Sequence, residues 1–208
     1  MPPAFIYFDL GNVLCLFSRP QEIRQVSEVS GVPEEKISEV LLNHETGILW
    51  EYERGEIDDQ QFYEKFCRLT DSRPEMSALL RADSEIFQFN VELLPIVAHL
   101  EDAQIPLGIL SNICPPHWRF VSDGRYGMIP GAFKKTVLSY EVGAQKPSEK
   151  IYRRATELAG VAPNQILFID DIEENVAAAH RAGWDAVQYT TPDALEQELL
   201  SRGIRSNY

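Results

Sequence analysis

Four apolar runs of strand length stop abruptly on polar residues: Phe8 is followed by Asp9, Leu110 by Ser111, Leu138 by Ser139, and Ile169 by Asp170-Asp171. The runs (Ala4–Phe8, Leu107–Leu110, Thr136–Leu138, Gln165–Ile169) are short and carry no internal polar alternation, as expected of strands buried on both faces. Helical patterns separate them: Val91–Ala103, Lys150–Ala159 and Asn175–Ala182, with a last strand at Ala186–Tyr189 and a short helix after Asp193. Gly160 and Gly183 stand where two of these helices should end. Strands alternating with helices require right-handed crossovers and a parallel sheet. All four strand ends then lie along one edge, where open α/β sheets bind ligands.

The stretch from Phe17 to Asn90 breaks this alternation. Pro20 and Pro33 read as first-turn prolines, Ile37, Val40 and Leu41 keep helical spacing, and Phe62, Phe66 and Leu69 form a second apolar stripe. A further helix is expected within Glu75–Phe87, and Glu53-Arg54-Gly55-Glu56 is a polar break. No strand is expected here. The chain therefore reads as an α/β core, residues 1–16 and 91–208, carrying an all-helical insertion, residues 17–90.

Composition limits what the pocket can serve. A formal net charge of −13 argues against nucleic acid and anionic membranes as partners, because both are gripped by Lys and Arg clusters. No window approaches a membrane span, and the start MPPAFIYFD lacks a secretory pattern. Cys15, Cys67 and Cys114 form no metal motif and no disulfide frame, so a reducing cytoplasm is expected. Oligomeric state has no sequence signal.

A carboxylate at the end of a buried strand is costly unless paired, hydrogen-bonded or metal-bound. Asp9 alone could simply cap the following turn. With Asp170 and Asp171 it forms an oxygen-only cluster that needs a cation and suits Mg²⁺ better than zinc. Lys146, in Gly143-Ala144-Gln145-Lys146-Pro147, is expected to turn back over this edge, and Ser111 and Asn112 supply neutral donors for phosphate oxygens. A carboxylate nucleophile beside a hard cation, a lysine and a hydroxyl is suited to phosphoryl transfer.

In order and spacing, Asp9-Leu10-Gly11-Asn12-Val13, Ser111-Asn112, Lys146-Pro147 and Asp170-Asp171 resemble the four motifs of the haloacid dehalogenase-like (HAD) hydrolase superfamily. The insertion resembles that superfamily's helical cap of the first type, over a Rossmann-like sheet. The DLGNV form and Glu53-Arg54-Gly55-Glu56-Ile57 are most similar to bacterial small-sugar-phosphate phosphatases of the alpha-glucose-1-phosphate phosphatase type. The resemblance implies a Mg²⁺-dependent phosphatase acting on a small phosphorylated metabolite through an aspartyl-phosphate. Asp9 would be nucleophile and metal ligand, joined on the metal by the Gly11 carbonyl and Asp171. Ser111 and Asn112 would hold the phosphoryl group, and Lys146 would neutralise it and orient Asp9. Asp170 and Asn175 would support these groups from behind.

One position departs from that pattern. Phosphatases of the superfamily usually carry a second Asp two residues after the nucleophile, and here that residue is Gly11. This leaves three readings: a phosphatase using another acid, a slow or non-catalytic phosphate binder, or a 2-haloacid dehalogenase-type hydrolase. Glu141 is a candidate stand-in, against the simpler reading of a solvated loop carboxylate. Arg54, with Trp50 and Tyr52, is a candidate substrate contact. His44, His99, His117 and His180 share no ligand spacing and are expected at the surface or packed against helices. Cys114 shows no basic partner in the sequence and reads as a packing residue.

Overall fold

The computed structural model describes residues 2–204. Five parallel strands form the central sheet: β1 (Phe5–Phe8), β4 (Leu107–Ser111), β5 (Phe133–Leu138), β6 (Ile166–Asp170) and β7 (Asp185–Gln188). Their order across the sheet is β5-β4-β1-β6-β7. The chain steps outward from β1 to β5, then returns to β6 on the other side of β1, which places the topological switch beside Asp9.

Strand periodicity explains the unbroken apolar runs. Ile6, Phe8, Leu107, Ile109, Leu167 and Ile169 point into one apolar cluster, while Phe5, Tyr7, Leu110, Ile166 and Phe168 point into the other. Along the central strands β1, β4 and β6 neither face meets water, so neither can be polar. Helices α6 (Leu94–Asp102), α7 (Pro115–Ser122), α8 (Ser139–Val142), α9 (Glu149–Ala159), α10 (Glu173–Arg181) and α11 (Pro192–Ser201) complete this part of the chain. The first two residues of α7 are prolines, a pattern that reads equally well as a loop and gave no sequence expectation of a helix. β5 also begins three residues ahead of the expected Thr136, because Lys134 and Lys135 interrupt its apolar pattern.

Residues 17–90 hold α1 (Arg19–Ser30), α2 (Glu34–Leu42), α3 (Ile48–Glu53), α4 (Asp59–Thr70) and α5 (Met76–Ser84). Val26, Ile37, Leu41, Leu49, Phe62 and Phe66 bury against one another in a third cluster. Asp58 and Gln61 close a reciprocal capping box at the start of α4. Leu69 departs from the expected stripe: near the end of α4 it is 43% exposed. The expectation of no strand also needs correction. Gln88–Phe89, labelled β3, pairs antiparallel with Cys15–Leu16, labelled β2. Two residues are too few to carry a periodic signal, yet this ribbon ties together the two chain segments that enter and leave the helical layer.

The polar break lies where the helical layer meets the sheet edge. Gly55 has φ +66°, and a Cβ there would collide with the backbone carbonyl of Tyr140. Gly55→Ala should cost about 1–2 kcal/mol from the left-handed backbone alone, with the collision adding to it. A thermal melt checks this, and an unchanged melting temperature would contradict the close approach.

Candidate active site

Asp9 leaves the end of β1 with its N–H donating to the Ile169 carbonyl (2.8 Å) and its Oδ1 accepting from the Leu10 N–H (2.6 Å). Lys146 Nζ lies 2.8 Å from Asp9 Oδ1 and 2.6 Å from Asp170 Oδ2. Asp170 also accepts from the Ile172 N–H (2.8 Å) and from Asn175 Nδ2 (3.0 and 3.2 Å). Asp9, Asp170 and Asp171 each bring a carboxylate oxygen within 4.8 Å of the others. Residues far apart in the chain thus meet at one point.

Burial dominates the electrostatics. It pushes the Asp9 carboxyl up to about 7, against the opposing charge of Lys146, with Asp170 adding to the rise. Burial opposes the Lys146 charge as well, but the two carboxylates outweigh it and hold its pKa above the ordinary lysine value. Asp171, half-buried, is also raised by burial and by Asp170, while a hydrogen bond from the Asn12 side chain works the other way. Three acids facing one ammonium leave a surplus of negative charge that a hard divalent cation relieves. Lys146 occupies one oxygen of Asp9 and one of Asp170, and the donors left over are oxygens, as Mg²⁺ prefers.

The loop bearing Lys146 is clamped by Asn112, whose Oδ1 accepts from the Lys146 N–H (2.7 Å) and whose Nδ2 donates to the Lys146 carbonyl (3.0 Å). Both hydrogen bonds of the Asn112 side-chain amide thus go to the backbone of Lys146. Ser111 is buried at the end of β4, with only a weak contact from its hydroxyl to the Asn112 carbonyl (3.4 Å).

Ser139 does not join the expected cluster. Its Oγ accepts from the Ile113 N–H (2.9 Å) and donates to the Glu53 carbonyl (2.6 Å), fixing the helical layer to the sheet edge. Glu141 lies in a separate groove with Thr136, Lys150 and Arg154, so it is not positioned to replace an acid at Gly11. Tyr52 is buried, stacked on Phe62 and donating to Asp59, rather than reaching toward the sheet.

A cleft of about 520 Å³ opens between the helical layer and the strand ends, lined by His44, Trp50, Arg54, Asn112, Lys146 and Glu174 among others. Arg54 does reach this cleft, with its guanidinium held by Glu56 (2.7 and 2.9 Å) and near Gln145 (3.4 Å).

Residues 6–183 match the family model described as haloacid dehalogenase-like hydrolase. The chain belongs to this family. It is 24% identical over 201 residues to the D-ribitol-5-phosphate phosphatase of Bacteroides thetaiotaomicron, covering 93% of this chain and 95% of that one. It is also 24% identical to a sesquiterpene phosphatase of Aspergillus oryzae, covering 92% of each chain. A HAD family enzyme from Bacteroides thetaiotaomicron, in complex with magnesium and inorganic phosphate, superposes with TM-score 0.78 at 25% identity, over 89% of this chain and 93% of that one. The L-2-haloacid dehalogenase of Xanthobacter autotrophicus shares the fold at TM-score 0.64 and 18% identity, over 97% of this chain and 83% of that one.

In this HAD-like hydrolase, two buried groups near the strand ends gave no sequence signal. His117 Nε2 meets Asp83 Oδ2 at 2.9 Å, linking α7 to α5, and its pKa is held well above the ordinary histidine value. Burial opposes that charge, while Cys114 and Asp83 favour it. Cys114 therefore has a basic neighbour after all, although burial raises its own pKa against the influence of His117. The other is Glu53, the last residue of α3, 4% exposed beneath the helical layer. Only a pairing brought about by the fold could reveal either.

Proposed function

We propose that the protein is a magnesium-dependent phosphatase of small phosphorylated metabolites, sugar or polyol phosphates being the preferred class. The observation that carries this reading is Lys146 bridging Asp9 and Asp170, with Asp171 alongside, at the switch point of the sheet. Related chains named as phosphatases, one of them for a polyol phosphate, support it.

Asp9, Asp171 and the Gly11 carbonyl would hold Mg²⁺. When bound, the ion supplies charge neutralisation for the transferring phosphoryl group. Lys146 keeps Asp9 Oδ1 in place and adds a fixed positive charge. Asp9 attacks phosphorus, the bond to the leaving oxygen breaks, and the phosphoryl group rests on Asp9 until water displaces it. Ser111 Oγ binds the phosphoryl oxygens, with Asn112 and Asn175 holding Lys146 and Asp170 in position. Residues 17–90 act as a cap over the cleft. Its size and polar lining suit a small hydroxylated substrate, with Arg54 and Trp50 at its wall. Three buried free cysteines are in keeping with a reducing, cytoplasmic setting.

A panel of phosphorylated metabolites, assayed for phosphate release with Mg²⁺ and then with chelator, tests this reading. Chelator-sensitive release from sugar or polyol phosphates is expected. Release no greater than that of Asp9→Asn for every compound would sink it.

Magnesium should also stabilise the folded protein, since it binds a carboxylate cluster that unfolding scatters. At one hundred times its dissociation constant the gain is about 2.7 kcal/mol, read as a rise in melting temperature of roughly 5–10 °C for a chain of this length. Asp171→Asn should abolish most of that rise. An equal rise in the variant would place the ion elsewhere.

A further inference from the structure

We propose that Glu53, delivered by the helical layer, is the acid and base of the reaction, giving a proton to the leaving oxygen and later taking one from the attacking water. This rests on the phosphatase reading above and supplies the group that Gly11 lacks.

The first observation is that the usual position for this acid is closed. A Cβ on Gly11 would sit 2.9 Å from Phe17 Cε1, so the ring of Phe17 fills the space a side chain would need. That ring is held against Phe87 (5.7 Å between centroids) and beneath the Arg19 guanidinium (5.0 Å).

The second is a cavity that this ring and Gly11 both line. Glu53, Leu10, Gly11, Ser111 and Asn112 help to enclose about 30 Å³ next to the nucleophile's own loop. That is room for a water with polar partners. Glu53 thus brings a carboxyl to the space between the cap and the segment that starts at Asp9.

The third is how Glu53 is held. The Ser139 hydroxyl donates to its carbonyl, and Gln145 Nε2 donates to its Oε2 at 2.7 Å. Its ion pair with Arg19 is a long one. Arg19 Nη2 stands 3.7 Å from Glu53 Oε1, while Arg19 Nη1 is engaged by Glu22 at 2.7 Å. The charged groups that face it are Arg19 from α1, His117 from α7 and Asp83 from α5. Burial is the largest influence and raises its pKa, against Arg19 and His117.

Other acids are worse placed. His117 borders the same cavity, but its Nε2 is committed to Asp83, and its ring meets Phe87 edge-on. Glu51 is paired with Lys65.

The steps balance as follows. An Asp9 oxygen forms a bond to phosphorus as the bond to the leaving oxygen breaks, with its electron pair going to that oxygen. The Glu53 carboxylic acid protonates it, and the alcohol departs. Glu53, now a carboxylate, takes a proton from water as that oxygen bonds to phosphorus. The bond to Asp9 breaks, its pair returns to Asp9, and inorganic phosphate leaves with Glu53 protonated again.

The experiment compares Glu53→Gln with wild type on alkyl phosphates and on p-nitrophenyl phosphate, whose leaving oxygen needs no proton. The variant should lose about 10²–10⁴-fold in kcat/KM on alkyl phosphates, and far less on p-nitrophenyl phosphate. A merely structural role would lower both equally, and an equal loss, or none, overturns the proposal. Wild type should show an alkaline limb in kcat/KM on alkyl phosphates, because the acid form must be present, and no such limb on p-nitrophenyl phosphate. If Glu53→Gln does not fold, this wild-type comparison decides, with identical limbs overturning the proposal. If wild type releases no more phosphate than Asp9→Asn, the phosphatase reading itself has failed. Wild-type activity with an unchanged leaving-group dependence in Glu53→Gln removes Glu53 alone.

Discussion

Asp9→Asn should leave a folded protein with phosphate release reduced by about 10⁴-fold or more, the scale of loss seen when a nucleophile that works as one unit with its neighbours is removed. An amide is a poor nucleophile toward phosphorus, and the change also removes one charge from the proposed ion site. Stability should not follow activity. Asp9 is buried beside Asp170 and its carboxyl is pushed up to about 7, so the folded protein carries its charge at a cost. Without metal, Asp9→Asn should melt no lower than wild type. With magnesium, wild type should gain more than the variant. A parallel loss of activity and melting temperature would instead assign Asp9 a structural role. Phosphate release in the presence and absence of Mg²⁺, beside thermal melts of the same samples, reads both quantities.

Lys146→Met should have the largest effect on stability. Its ammonium is buried between Asp9 and Asp170, and removing one partner of a buried ion pair typically costs about 3–5 kcal/mol. For a chain of 208 residues that corresponds to a fall in melting temperature of roughly 10 °C. Asp170 keeps the Ile172 N–H and Asn175 as partners, so Asp9 suffers the greater loss. Combining Lys146→Met with Asp170→Asn should therefore cost less than the sum of the two single changes, since the double variant buries one charge fewer. Additive costs in urea denaturation would mean that the 2.6 Å pair is not energetically coupled.

What the sequence made legible follows from what is periodic. β1, β4 and β6 announced themselves because both sheet faces are buried there, and their ends at Asp9, Ser111 and Asp170 pointed to the candidate site. Spacing could not say how a polar side chain is spent. Asn112 and Ser139 resemble ligand-binding residues in sequence, yet one clamps the Lys146 loop and the other fixes the carbonyl of Glu53. The β2–β3 ribbon is too short for any pattern, and the double proline of α7 disguises a helix start. Glu53 stood in the polar break as one acidic residue among several. It lines one cavity with Gly11, and Gly55, two residues on, packs against Tyr140, both of them contacts between distant parts of the chain.

Acid quenching of a single turnover of p-nitrophenyl phosphate in magnesium buffer, followed by mass spectrometry of the peptide bearing Asp9, tests the central claim most directly. The account predicts that this peptide is heavier by one phosphoryl group at early times, that the extra mass disappears as inorganic phosphate forms, and that Asp9→Asn never acquires it. Phosphate release at the wild-type rate, with the peptide unmodified throughout or the phosphoryl group on another residue, would contradict it.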